Sequence, residues 1–228
     1  MSTGLLGKKI GMTQVFDGQG NLVPVTAIEA GPCFVLEIKE TPHAKIKLGF
    51  GPKKESRVKK PQLGFFKKIN VSPLGFVREL PLGEFKDCKV GQEIKADIFK
   101  EGEYLHITGT SIGKGFQGGV KRWHWKGGKK THGSTSHRRV GSIGSSTTPG
   151  RTIRGHHMPG HMGAETVTVK NLRIVKVDAV NNLLLVKGAV PGFKTTYLIL
   201  KKSAKKPKVA PPKAESKKEV KIETKKKK

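Results

Sequence analysis

Apolar residues in this chain come in short runs, alternate with polar positions, and stop at glycine or proline. Leu22–Ala30 (LVPVTAIEA) follows a turn at Asp17-Gly18-Gln19-Gly20, Cys33–Glu40 (CFVLEIKE) follows Gly31-Pro32, and Lys45–Gly51 (KIKLGFG) follows the turn residues Thr41-Pro42. Gly75–Leu82, Glu93–Phe99 and Glu103–Ser111 continue the series. Short runs rich in β-branched and aliphatic residues, punctuated this way, predict antiparallel strands. The pattern is strongest over Thr166–Gly192. There Leu172, Ile174, Val175 and Val177 lead into Asn181-Asn182, and Leu183–Val186 lead out, which predicts a hairpin. Tyr197–Lys202 (YLILKK) reads as a last strand. Ser56–Asn70 is lysine-rich without clean periodicity, and part of it reads as helix. About seven strands with few helices predict a mainly β protein built on a small closed β-barrel.

The strand pattern breaks off after Ser111 and resumes near Thr166. The expected division is a split barrel body (1–112 and 164–202), a long irregular central extension (113–163) and a low-complexity Lys-rich tail (203–228). An insertion that long without a pattern of its own is either functional or disordered. The tail has too few apolar residues to offset the entropy of ordering, so it is expected to be disordered when free.

Charge sharpens this division. The chain carries 45 Lys/Arg against 17 Asp/Glu, a formal +28 on 228 residues. From Tyr104 to Ala164, 61 residues contain no acid, ten Lys/Arg, both tryptophans and seven of the eight histidines. Lys201–Lys228 holds 13 Lys and 3 Glu, which leaves about +8 on the remaining 139 residues. An acid-free, glycine-rich segment can neither build an apolar core nor neutralise its own charge. What orders it is a dense polyanion, and for an extended, aromatic-bearing chain that polyanion is folded RNA. The body is large enough to bury roughly 68–70% of its unfolded surface around one core. Cys33 and Cys88 fit no metal spacing and read as small buried thiols in a reducing compartment. No apolar run approaches the roughly 18 residues that cross a bilayer, and the N-terminus has no apolar segment of secretory type. The expectation is a cytoplasmic chain with no membrane partner.

Several motifs invite sharper chemistry. Gly113–Gly118 (GKGFQG) fits G-x-G-x-x-G and follows a strand. A dinucleotide turn also needs a helix starting at once and an acid about 20 positions on. The residues after Gly118 read as no helix, and no acid occurs before Glu165. Gly109–Gly115 (GTSIGKG) is too short for a P-loop and has Gly115 where the magnesium-binding hydroxyl belongs. His156, His157 and His161 lie close in sequence, but no carboxylate or thiolate nearby completes a metal site. His132 and His137 have side chains of the type used in acid–base work, but histidines in such a loop more often stack or bond to phosphate. No catalytic residue, metal, cofactor or small-molecule substrate is expected. Trp123 and Trp125, with His124 between them and Arg122 and Lys126 beside them, suit base stacking, worth about 1–3 kcal/mol per base. The alternative for the two rings is an anchoring role against the barrel. Arg138, Arg139, Arg151 and Arg154 offer forked donors to phosphate oxygens. Lys114, Lys121, Arg122, Lys129 and Lys130 add neutralising charge, and His132 and His161 are placed with these RNA contacts.

The same residues carry a resemblance. Gly109–Trp123 (GTSIGKGFQGGVKRW) is similar to the signature of the universal large-subunit ribosomal protein three family, bacterial type. Gly4–Phe16 resembles that family's opening, Thr131–Arg151 its central loop and Gly160–Gly192 its returning hairpin. His106 stands where the signature usually has Asp or Asn, and His161 where many bacterial members carry a glutamine that is a methylation target. The resemblance implies a barrel of translation-factor type seated on the large-subunit surface. It also implies an extension threading toward the peptidyl transferase centre, direct binding to 23S-type rRNA near its 3′ end early in assembly, and neighbouring large-subunit proteins as partners. It implies no catalytic role. The alternative is a freestanding, sequence-independent nucleic-acid binder or RNA chaperone. A third class, an RNA-processing enzyme, lacks a carboxylate or metal constellation.

Overall fold

The structure, a computed structural model, describes residues 4–39, 44–83 and 88–203. The expected Lys-rich tail lies, from 204 on, outside the described residues. In chain order the elements are β1 (Gly4–Phe16), β2 (Leu22–Ala30), β3 (Cys33–Lys39), β4 (Lys45–Pro52), α1 (Lys60–Lys68), β5 (Leu74–Pro81), β6 (Glu93–Ile94) and β7 (Tyr104–Thr110). There follow β8 (Gly115–Gln117), α2 (Gly119–Trp123), β9 (Gly160–Met162), β10 (Thr166–Asp178), β11 (Leu183–Lys187) and β12 (Tyr197–Lys202). The described residues are thus mainly β, with more strands than the pattern predicts.

Strands β1, β12, β7, β10, β11 and β2 pair antiparallel in that order, and β2 pairs back to β1, closing a six-stranded barrel. Closure leaves the barrel no open sheet edge. The inward positions follow the two-residue period of a strand: Leu105 and Ile107, Leu184 and Val186, Leu198 and Leu200 are all fully buried. Bulges between Lys9 and Gly11 and between Val169 and Leu172 bend the long strands β1 and β10 around it. β1 is not among the predicted runs. Its three glycines and the adjacent Lys8-Lys9 interrupt the alternation, and pairing on both sides holds it instead.

The pattern assigns the runs between Cys33 and Phe99 to the same barrel. They form a separate four-stranded sheet, ordered β5-β4-β3-β6. Val35, Ile46, Leu48 and Leu80 on that sheet join Leu6, Ile28 and Leu200 of the barrel in one continuous core. Glu93–Phe99 is not a single strand either: β6 ends at Ile94 and Ala96–Ile98 turn as a 3₁₀ helix. Ile94, Ala96 and Phe99 all reach the core, a spacing that a straight strand does not deliver. The helix expected within Ser56–Asn70 is α1. It covers a smaller cluster of Leu36, Phe66 and Leu74 on the second sheet.

Two interior groups stand out. Lys9 is 8% exposed, and its ammonium donates to the carbonyl oxygens of Val190 and Gly192, each at 2.8 Å. Burial lowers its pKa below the usual 10.5. The Cys33 thiol donates to the Leu6 carbonyl at 3.3 Å and is pushed up to about 12 by burial. Cys88 is half-buried. Among the described residues no helix is long and apolar enough to cross a membrane.

Candidate nucleic-acid interface

The extension leaves the barrel through a narrow neck. β7 and β10 remain paired as far as Thr110 and Thr166. One step on, the Ser111 amide donates to the Glu165 carbonyl at 2.8 Å, and the Ser111 hydroxyl accepts from the Glu165 amide at 3.2 Å. The Lys114 amide then donates to the Met162 carbonyl at 2.9 Å, and β8 pairs with β9 from Gly115–Met162 to Gln117–Gly160. Gly163 is what lets the two limbs run this close. Its φ is +77°, and a Cβ there would lie 2.2 Å from the Ile112 carbonyl oxygen.

Past the neck, the stretch read as non-helical contains one turn of helix, α2. Gly118 enters it in extended conformation, and His124, left-handed at φ 60°, ends it. The Trp125 ring folds back onto Gly119, where a Cβ would stand 2.1 Å from a ring carbon. This spacing of glycine and tryptophan was visible in the sequence, but only the fold shows its use. The dinucleotide reading gains nothing from α2. β8 is antiparallel to its partner β9, and the one-turn helix runs into irregular chain, so no βαβ unit forms.

The tryptophans, predicted as stacking platforms, also hold the arm together. The Trp123 ring stacks on His157, with centroids 4.0 Å apart and planes 5° from parallel. The Arg122 guanidinium lies 4.9 Å from the same ring. Arg122 and the Trp123 indole both donate to the Met158 carbonyl, at 2.8 and 2.9 Å. The outgoing and returning limbs are therefore tied together by His157 and Met158, neither of which the sequence singles out for that role. Trp123 remains 37% exposed, and Arg122 and Trp125 are half-buried.

From His124 to Pro159 there is neither helix nor strand. Internal bonds are sparse: the Gly128 amide donates to the Ser136 and His137 carbonyls, and His137 Nδ1 lies 3.0 Å from the Lys129 carbonyl. Of residues 113–163 only Gly119 is buried. Lys114, Lys121, His124, Lys129, Lys130, His132, Arg138, Arg139, Arg151, Arg154 and His161 are all exposed. The ion pairs among the described residues join Lys39, Lys47 and Lys202 to Glu37, Glu79 and Glu103, and none involves an arm cation. Among the described residues the ten arm cations thus stand without counter-charge. A cleft of about 530 Å³ opens between Trp125, Arg139 and His156, and a second, of about 570 Å³, opens at the arm's root between Lys9, Lys114 and Arg122. Among the described residues no three His, Cys, Asp or Glu side chains converge as a metal site would require.

A family model described as ribosomal protein L3 matches residues 84–182, a span that contains the whole arm. The large ribosomal subunit protein uL3 of Pelotomaculum thermopropionicum is 52% identical over 209 residues, covering 90% of this chain and 99% of the relative. The chain belongs to the ribosomal protein L3 (uL3) family. The uL3 proteins of Carboxydothermus hydrogenoformans and Geobacter sulfurreducens are 48% and 46% identical, each over 208 residues, 90% of this chain and 99% of the relative. The likeness read in Gly109–Trp123 is therefore a family relationship. uL3 proteins are structural ribosomal proteins and not enzymes.

Proposed function

We propose that this chain is a constituent of the large ribosomal subunit that binds 23S-type rRNA directly near its 3′ end and helps to nucleate assembly. Its barrel, of translation-factor type, rests on the RNA surface beside neighbouring large-subunit proteins, and residues 113–163 extend toward the peptidyl transferase centre. Its place is the cytoplasmic ribosome. The names of the relatives support the subunit. The observation that carries the RNA contact is the arm, which has ten cations, no acid and a single buried residue. Chain that buries so little of itself has nothing internal to offset the entropy of ordering. Closely spaced phosphates supply the missing counter-charge. Lys114, Lys121, Lys129, Lys130, Arg138, Arg139, Arg151 and Arg154 contact them. His132 and His161 bond to phosphate as well, while Trp123, His124 and Trp125 shape the arm and offer their open surfaces to bases.

The test compares the full chain with a variant lacking 113–163, using a transcript of the 3′-terminal part of the large-subunit rRNA. The Ser111–Glu165 bonds close the shortened hairpin, so the barrel persists. Every phosphate that is no longer neutralised flattens the log–log salt dependence of binding by about 0.9, so the variant binds more weakly and with a much shallower slope. Unchanged affinity and slope would sink the proposal. Sedimentation through a high-salt gradient excludes a loose, sequence-independent binder: stoichiometric retention on large subunits supports the proposal, and release refutes it.

A further inference from the structure

We propose that the exposed face of α1 is a second RNA-binding surface, separate from the arm, that holds the sugar–phosphate backbone of a base-paired rRNA segment. The inference rests on the rRNA-binding reading above and adds a site to it.

The segment Lys53–Lys68 holds seven Lys/Arg and a single acid, Glu55. All seven cations are exposed, and none enters an ion pair among the described residues. Along α1, Phe65, Phe66 and Ile69 turn toward the second sheet. Lys60, Gly64, Lys67 and Lys68 recur at helical spacing on the opposite, solvent-facing side.

Gly64 is the informative residue. It has no positive φ, and a Cβ placed on it would meet nothing within 4 Å. Neither backbone nor packing requires glycine there, yet a mid-helix glycine weakens a helix relative to alanine. α1 also begins without a side-chain cap and with Lys59 and Lys60 at its positive end, with no acid in its first turn. The helix is thus less stable alone than its position allows, and its positive field has no counter-charge among the described residues. A polyanion along this face resolves both features. It supplies negative charge, and the missing side chain at Gly64 lets it approach the helix backbone closely.

The chemistry of the face selects the form of RNA. The exposed large apolar side chains include none between Pro52 and Pro73. Phe66 is buried, and the Phe65 ring is half-buried with the Lys47 ammonium 5.2 Å from its centre. The face therefore has no platform for an unpaired base and no apolar anchor for a protein groove. Phosphate contacts made by charge and shape are how proteins hold paired RNA.

The test uses the full chain with two probes, the 3′-terminal rRNA transcript and a short blunt RNA duplex. In the K60Q/K67Q/K68Q variant the salt slope on the transcript flattens by about 2–3, and duplex binding is largely abolished. An arm variant, R138Q/R139Q/R151Q/R154Q, flattens the transcript slope but keeps duplex binding. In the G64A variant Tm rises by about 2 °C while affinity for the duplex falls several-fold. An unchanged slope in the α1 variant beside a flattened one in the arm variant overturns this inference alone. No change in either variant overturns it together with the reading beneath it. G64A binding as tightly as the parent overturns the close approach. An α1 variant that binds RNA normally yet fails to enter large subunits shows that the face meets a protein, and that also overturns the inference.

Discussion

Substituting Lys9→Met keeps the aliphatic stem of a nearly buried side chain and deletes its ammonium. In the parent, that ammonium donates to the Val190 and Gly192 carbonyls, each at 2.8 Å. The Lys9 amide also donates to the Thr196 carbonyl at 2.9 Å, and the Lys9 carbonyl accepts from the Thr195 amide at 2.7 Å. Four bonds thus fasten β1 to the loop that precedes β12. The substitution spares the backbone pair and orphans two carbonyls on buried residues. A buried acceptor left without a donor costs about 1–3 kcal/mol. Part of that is returned, because the parent holds a cation out of water. A net loss of about 2–3 kcal/mol follows, or about 6–9 °C in Tm for a chain of this size. Thermal unfolding of the full chain at neutral pH, followed by circular dichroism, measures it. The alkaline limb gives an independent check. The folded Lys9 pKa lies below the unfolded value of 10.5, so the folded state sheds its proton first. The unfolded chain then binds more protons across that window, and the Lys9 contribution to stability rises with pH there. The difference in stability between parent and variant therefore widens between the folded Lys9 pKa and 10.5. A variant within about 0.5 kcal/mol of the parent at neutral pH, the usual scatter of inconsequential surface changes, refutes the reasoning.

At the neck, Gly163→Ala forces a left-handed alanine, costing about 1–2 kcal/mol, and drives a methyl group into the Ile112 carbonyl. Hydrogen exchange is expected to accelerate at the Lys114 amide and across β8–β9 while barrel amides keep their protection; parental protection at the neck contradicts this. The Cys33 thiol, raised to about 12 and fully buried, is expected to resist iodoacetamide at pH 8 in the folded protein and to react once unfolded. Rapid labelling of the Cys33 peptide in the native chain, seen by mass spectrometry, defeats that expectation.

The local pattern located β2 and β12 to the residue, because each is a short run rich in aliphatic residues, with Gly-Pro ending the first and polar residues flanking the second. It did not separate two sheets. Alternation says that Leu48 and Leu184 point inward, but strand pairing decides which sheet each joins: Leu48 lies between Val35 and Arg78, whereas Leu184 reaches across more than 150 residues to Ile28. β1 was hidden because Gly4, Gly7 and Gly11 break its period. In the arm, the lack of acids and the exposure it entails were legible from composition alone. The turn of α2 was not, since five residues carry no periodic signal and the turn is held by Trp125 on Gly119 and by the distant Met158 carbonyl. Family membership was legible because Gly109–Trp123 combines glycines, a lysine and an arginine at fixed spacing.

The last strand, β12, slots between β1 and β7, so Gly4 pairs with Lys201. A nascent chain therefore carries two unsatisfied edges, on β1 and β7, until β12 has been made. The arm, encoded between β7 and β10, emerges well before the ring can shut. A product halted before Tyr197 keeps those edges open, the condition that invites aggregation, and never attains the finished shape.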